Sequence, residues 1–334
     1  MKIGRIILGA ILAASCIFSA VGCDSSAKSS VGNTEIINLV EGDTIAEITI
    51  DGYGTIKAKL FPDLAPKAVE NFTMLAEQGY YEGLKIHRVL EDSFIQGGSL
   101  NGDGTGGKAL INDEGTFDLE ISQQARHFYG ALSYANVAGE NSAQFFIVTN
   151  DQPQDLNTID TEQVRAAAAA NTDLKAGATP DSAEYKTYAY KEQYYTNLAS
   201  MVNEATEFTT QKYKDVGGMP MLDGGYTVFG QVYDGYEVLE AIASCEVESN
   251  AYSEKSKPVE EIVITSVKVV KYVDLGTAEA EDEPAKDEKP DTAEAASTAE
   301  ASSTAEATTA EADASATAEA GVIVDDVAPE ADAA

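Results

Sequence analysis

The sequence predicts a mainly β fold, a barrel or a sandwich of short strands, on three observations. Apolar and polar residues alternate strictly in two neighbouring stretches near the start of the folded region. Further short apolar stretches follow, separated by glycine-rich turns. Helical periodicity is confined to a few segments between them.

In chain order, Ala46, Ile48 and Ile50 alternate with Glu47 and Thr49, and Ile56, Ala58 and Leu60 alternate with Lys57 and Lys59. Period two puts each apolar set on one face of a strand. Asp51-Gly52-Tyr53-Gly54 supplies the turn that makes them a hairpin. A helix follows: Pro66 suits its first turn, Gly79 its C-terminal cap, and Val69, Phe72, Leu75 and Ala76 share one face. Phe145-Phe146-Ile147-Val148 reads as a buried strand and Thr227–Val232 as another. Tyr236–Ala243 reads as a short helix, and Ile262, Ile264, Val267 and Val269 as closing strands.

Residues 151–217 break this rhythm. They hold five consecutive alanines, Ala166 to Ala170, and five clustered tyrosines, Tyr185, Tyr188, Tyr190, Tyr194 and Tyr195. Asp160 or Thr161 can cap one helix and Asp181 or Ser182 a second, so the stretch reads as a helical insertion between two strands. Its tyrosines offer amphipathic contact area of the kind found at interfaces. Either those rings meet protein clients, leaving the chemistry to the β domain, or they pack the two helices against each other or the wall of the β domain.

Of the 334 residues, 1–23 read as a targeting segment and 274–334 as a low-complexity tail, leaving 42–273 for the folded domain and 24–41 as a polar tether. The tail repeats Thr-Ala-Glu-Ala from Thr277, Thr292, Thr298, Thr304, Thr309 and Thr317, with no apolar stripe to pack it. From Leu275 to Ala334 it carries 17 acidic and 2 basic residues toward a net charge of −34. A field of that sign repels phosphate backbones and anionic head groups, which argues against nucleic acid and against a polybasic membrane anchor.

Lys2 and Arg5 precede the apolar run Ile6–Val21, and Ala20-Val21-Gly22-Cys23 ends it. The run is short for a spanning helix. Its end resembles a bacterial lipobox, which implies acylation of Cys23 and a domain tethered to the outer face of the cell membrane. One cysteine, Cys245, then remains in the domain, too few for an internal disulfide. With only His87 and His127 there is no Cys/His cluster for a metal, so neither metal nor cofactor is expected.

Ile86-His87-Arg88-Val89-Leu90-Glu91-Asp92-Ser93-Phe94-Ile95-Gln96-Gly97-Gly98 is the strongest motif in the chain. It resembles the cyclophilin signature Phe-His-Arg-Val-Ile followed by Phe-Met-Ile-Gln-Gly-Gly. Four further matches follow in the family's order: Gly104-Thr105-Gly106-Gly107, Leu132 to Asn136, Ser142 to Ile147, and Leu222 to Gly230. The resemblance covers about residues 42–272, interrupted by the insertion. It implies a closed eight-stranded antiparallel barrel capped by two helices, peptidyl-prolyl cis-trans isomerase activity, and no cofactor.

The same resemblance implies roles. Arg88 is the donor to the prolyl nitrogen, Gln96 orients it, and Asn136 pins the substrate main chain through its backbone. Phe94, Phe146 and Leu222 line a proline pocket, bordered by Ala135, Gln144, His87 and Tyr226. His127 falls outside the motifs and reads as a surface or structural residue. Ser93 stands where the family has a pocket Phe, and Phe94 where it has Met. Either Phe94 supplies the missing ring from the next position, or the pocket is enlarged. Ile86 replaces the Phe before the histidine, Met221 a Trp common in the family, and Tyr226 a His.

The leading reading is a monomeric, lipid-anchored isomerase acting on proline-containing segments of exported client proteins. A non-catalytic peptide-binding chaperone or adaptor is the alternative. A solute-binding lipoprotein is opposed by the lack of a two-lobed α/β pattern.

Overall fold

The computed structural model describes residues 37–274. The leader, the acylated Cys23 and the tail expected from the sequence lie outside the described residues.

The elements run β1 (Thr44–Ile50), β2 (Gly54–Leu60), α1 (Pro66–Glu77), β3 (Lys85–Leu90), β4 (Phe94–Gly97), β5 (Phe117–Asp118), β6 (Ala131–Val137), β7 (Glu140–Val148), α2 (Thr161–Gly177), α3 (Ala183–Asn203), α4 (Glu207–Val216), β8 (Val228–Asp234), α5 (Tyr236–Ala243), β9 (Val247–Ser249), β10 (Lys255–Pro258) and β11 (Ile262–Lys271). The sheet order is β4-β3-β11-β1-β2-β8-β6-β7, and β7 pairs back onto β4. Every pairing is antiparallel. Eight strands therefore close into a barrel, which leaves no open edge along that ring. The short β5 adds to β7, and β9 and β10 form a separate two-stranded ribbon.

The expected hairpin is β1–β2, and its apolar set points into the barrel: Ala46, Ile48, Ile50, Ile56, Ala58 and Leu60 are all buried there. Helix α1 closes the interior with Val69, Phe72 and Leu75, and α5 with Val238, Leu239 and Ile242. These are the two capping helices. Ile262 to Val269 lies in one long strand, β11, rather than in several. Within the stretch 24–41, Ile37 is buried, and Lys59 Nζ donates to the Asn38 carbonyl at 2.8 Å.

The insertion holds three helices where the sequence signalled two. Asp160 caps α2 and Ser182 caps α3, each accepting from backbone N–H groups of the first turn. Thr206 caps α4 in the same way. The third was missed because Glu207–Val216 is short and polar, with only Thr209, Lys212 and Tyr213 buried.

Candidate active site

A register row across five strands assembles the site. Arg88 on β3 faces Gln96 on β4, Gln96 faces Phe146 on β7, Phe146 faces Ser133 on β6, and Ser133 faces Val228 on β8. Residues directly opposite in antiparallel strands share a face. Here it is the outer face: Phe145 sits in the barrel core with Phe72 and Tyr81, and the alternation sends Phe146 outward. One step along the same face, Leu90 pairs with Phe94 and Phe94 with Val148.

Arg88 reaches that face through a bulge. Ile86 pairs with Gly97 and Arg88 with Gln96, so His87 is an extra residue on β3. Without it, Ile86 and Arg88 would share a face. With it, Ile86 packs in the core and Arg88 points outward.

The outer cluster consists of Phe94, Phe146, Leu222, Tyr226, Ala125, Ala131, Val148 and Val228, with Ala135 packed beside it. Phe94 and Phe146 lie 5.4 Å apart, and Tyr226 meets Phe146 edge-on at 5.7 Å. Ser93 belongs to the turn before β4, so Phe94 is the first strand residue and its ring joins the cluster.

The Arg88 guanidinium is 5.0 Å above the Phe94 ring. Its Nη1 donates to Gln96 Oε1 at 3.3 Å. Gln96 Nε2 donates to Gln144 Oε1 at 3.1 Å, and Gln144 Nε2 to the Gly104 carbonyl at 2.8 Å. A chain of amides thus ties Arg88 to the glycine-rich loop. On its other edge Arg88 donates from Nε to Glu254 Oε2 at 2.7 Å and from Nη2 to Glu254 Oε1 at 2.5 Å. The bond from Arg88 lowers the Glu254 pKa below its ordinary value. Nothing in the local sequence marks Glu254, which lies 166 positions from Arg88.

His87 sits against Gly104, and neither ring nitrogen has a hydrogen-bond partner. Burial, assisted by the Arg88 charge, lowers its pKa to about 4, so the ring is neutral at physiological pH. Asn136 uses its side chain structurally: Nδ2 donates to the Gly225 carbonyl at 2.9 Å, and Oδ1 accepts from the Gly139 N–H at 2.9 Å.

His127 proves structural and lies behind the pocket. Its ring is fully buried and stacks on Phe146 at 5.9 Å with planes 8° apart. Its Nδ1 is 3.0 Å from Asp223 Oδ1 and its Nε2 is 3.1 Å from Ser133 Oγ. Asp223 also accepts from the His127 backbone N–H, from Arg126 Nη1 at 3.0 Å and from the Tyr213 hydroxyl at 2.8 Å. Burial alone would raise the Asp223 pKa. The hydrogen bond and charge of His127, with the Arg126 cation, outweigh it and hold the carboxyl below the usual range. The Ser-His-Asp order is not a nucleophilic site here: Ser133 is fully buried and donates to the Thr227 carbonyl.

Tyr213 belongs to the insertion, and so do other supports of this wall. Tyr190 donates to the Gly225 carbonyl, Tyr194 to the Met221 carbonyl at 2.6 Å, and Asn197 to the Gly224 carbonyl. Gly224 and Gly225 permit this approach. A Cβ on Gly224 would lie 2.5 Å from the Leu198 nitrogen, and one on Gly225 2.5 Å from the Tyr194 ring. At least two of the clustered tyrosines therefore pack inward on the loop that bears Leu222 and Tyr226.

The chain is similar in sequence to known proteins. The family model for cyclophilin type peptidyl-prolyl cis-trans isomerase/CLD matches residues 45–165 and 157–269. A Staphylococcus saprophyticus protein named as a candidate peptidyl-prolyl cis-trans isomerase is 33% identical over 240 residues, 71% of this chain and 96% of that one. A Staphylococcus haemolyticus protein of the same name is 35% identical over 222 residues, 65% of this chain and 86% of that one. The crystal structure of a Cryptosporidium parvum cyclophilin type isomerase covers 69% of this chain and 99% of its own, at 23% identity and a TM-score of 0.45.

Proposed function

The chain belongs to the cyclophilin-type peptidyl-prolyl cis-trans isomerases, and from that premise we propose that it turns X-Pro bonds in exported polypeptides through Arg88 and the aromatic pocket beside it. The family binds proline-containing peptides, so the coarse class of substrate is given; the clients and the roles of individual residues are this proposal.

The reaction breaks no covalent bond. Resonance in the amide sets a barrier of about 18–20 kcal/mol, and uncatalysed X-Pro rotation takes about 10–100 s. In the twisted state the prolyl nitrogen regains its lone pair. A donor placed at that nitrogen stabilises the twisted state over both planar ones, and only such differential binding accelerates the step. Arg88 supplies the donor, since its guanidinium stays charged and presents a planar fork. Gln96 steadies it. The proline ring sits against Phe94, Phe146 and Leu222, with Tyr226 and Ala135 at the margin. The backbone of Asn136 holds the residue before proline, and Gln144 and His87 border the groove toward Gly104.

One observation carries the reading: an arginine only 7% exposed, its guanidinium held at three N–H groups over the Phe94 ring of an aromatic cluster. A non-catalytic adaptor would have no use for a donor prepared in this way. Acylation at Cys23 would hold the enzyme, as a monomer, at the outer face of the cell membrane, where chains emerge unfolded and proline rotation limits their folding.

The test is turnover of a proline tetrapeptide in a protease-free assay. Arg88→Ala should lower kcat/KM by about 10²–10³, the usual loss for one preorganised donor, with peptide binding changed far less. Equal rates for variant and parent would remove Arg88 from the mechanism.

A further inference from the structure

The ribbon β9–β10 stands outside the barrel, and its turn carries the residue that grips Arg88. Asn250 closes that turn. Its N–H donates to the Glu254 carbonyl at 2.8 Å, its carbonyl accepts from the Ser253 N–H, and its Oδ1 accepts from the Tyr252 and Glu254 N–H groups. Its Nδ2 then reaches Glu254 Oε2 at 3.3 Å and Ser256 Oγ at 3.2 Å. Ser253 holds φ at +68°, a left-handed conformation that costs a side-chain-bearing residue free energy and persists where the surroundings demand it. The result is a carboxylate set rigidly against Arg88.

Guanidinium chemistry gives the contact a meaning. Arginine has five N–H groups in one plane. Glu254 takes Nε–H and one Nη2–H, which lie on one edge, and Gln96 takes one Nη1–H. Two remain, one on each Nη, and the bidentate pair fixes the plane in which they point. We infer that Glu254 is a positioning residue for the isomerase reaction, aiming the free Nη edge of Arg88 at the prolyl nitrogen. The inference rests on the reading of Arg88 as donor.

The alternative sign is physically distinct. If Glu254 merely neutralised Arg88, removing its charge would free donors and raise the rate. If it aims Arg88, removing it lets a long side chain sample other rotamers, and the rate falls although the local potential becomes more positive. Glu254→Gln separates the two, because the amide keeps the shape but turns one acceptor into a donor facing another donor.

The experiment uses the full-length chain in detergent and compares the parent, Glu254→Gln, Glu254→Asp and Arg88→Ala on a proline tetrapeptide. Glu254→Gln should lower kcat by about tenfold, the size expected for a charged hydrogen bond, with KM within about twofold, and Glu254→Asp should recover part of the loss. The chain has four arginines, Arg5, Arg88, Arg126 and Arg165, so the Arg88 Nε–H resonance can be followed directly. It should be sharp in the parent and lost to exchange in Glu254→Gln. If Glu254→Gln fails to fold, Asn250→Ala removes a support of the carboxylate and should lower kcat about threefold. Unchanged or raised kcat in a folded Glu254→Gln, while Arg88→Ala is impaired, overturns the role of Glu254 alone. Full activity of Arg88→Ala overturns the donor reading beneath it.

Discussion

The Tyr213 hydroxyl donates to Asp223 at 2.8 Å, joining the last helix of the insertion to the residue that follows Leu222 in the pocket wall. From Asp223 the contacts continue to His127 and, by stacking, to Phe146. The insertion is thus bonded to the back of the aromatic cluster proposed to receive proline.

Tyr213→Phe keeps the ring and removes that bond. A bond to a buried carboxylate is worth about 1.5–3 kcal/mol, so the melting temperature should fall by several degrees and kcat/KM on a tetrapeptide by about threefold. Replacing residues 155–214 with a short Gly/Ser loop should cost tetrapeptide activity as well, because the Met221, Gly224 and Gly225 carbonyls all lose their tyrosine and asparagine donors. Tetrapeptide rates at the parental level in a folded deletion would show that the insertion serves only large clients.

Asp223 should make stability fall in acid. Its folded pKa is depressed below the ordinary 3.8. The contribution is therefore complete above about pH 3.8 and is lost as the pH drops through the lower folded value. At neutral pH, Asp223→Asn leaves Arg126 buried without its carboxylate, a loss of about 3–5 kcal/mol. Thermal melts from neutral pH into strong acid should show the gap between parent and variant closing as Asp223 is protonated. A gap that stays constant across the range would contradict this assignment.

Phe94 is fully buried against Phe146 and beneath Arg88. Phe94→Ala should destabilise by about 3–5 kcal/mol and cut kcat/KM by tenfold or more through loss of the pocket floor. Phe94→Met fills most of the volume at about 1.5 kcal/mol or less and should stay within a few-fold of the parent. Calorimetry beside the peptide assay checks both; a Phe94→Ala variant with parental kcat/KM would move the pocket elsewhere.

Membrane attachment is tested at Cys23. Cys23→Ser should abolish incorporation of labelled lipid and leave an unprocessed or released form. Recovery of the parent protein, unmodified, in the soluble cytoplasm would refute the anchored location.

By itself the sequence determined the local content of this protein. Alternation at Ala46–Ile50 and Ile56–Leu60 and the apolar face of α1 specify burial through neighbours a few positions away. That information is contained in a short stretch of chain, and so are the motifs holding Arg88, Gln96, Phe146 and Leu222. The tertiary structure decided what depends on distant partners. Strict alternation would send Arg88 to the side of Ile86; one extra residue, His87, in the pairing with β4 reverses it. No local pattern joins Arg88 to Glu254, because their bond exists only after β11 closes the barrel beside β3 and the β9–β10 ribbon comes to rest against β3. The tyrosines of α3 carry no sign of their direction either. Tyr190 and Tyr194 turn inward because Gly224 and Gly225 leave room for a helix to press on the loop, and clearance of that kind is a property of two surfaces already folded.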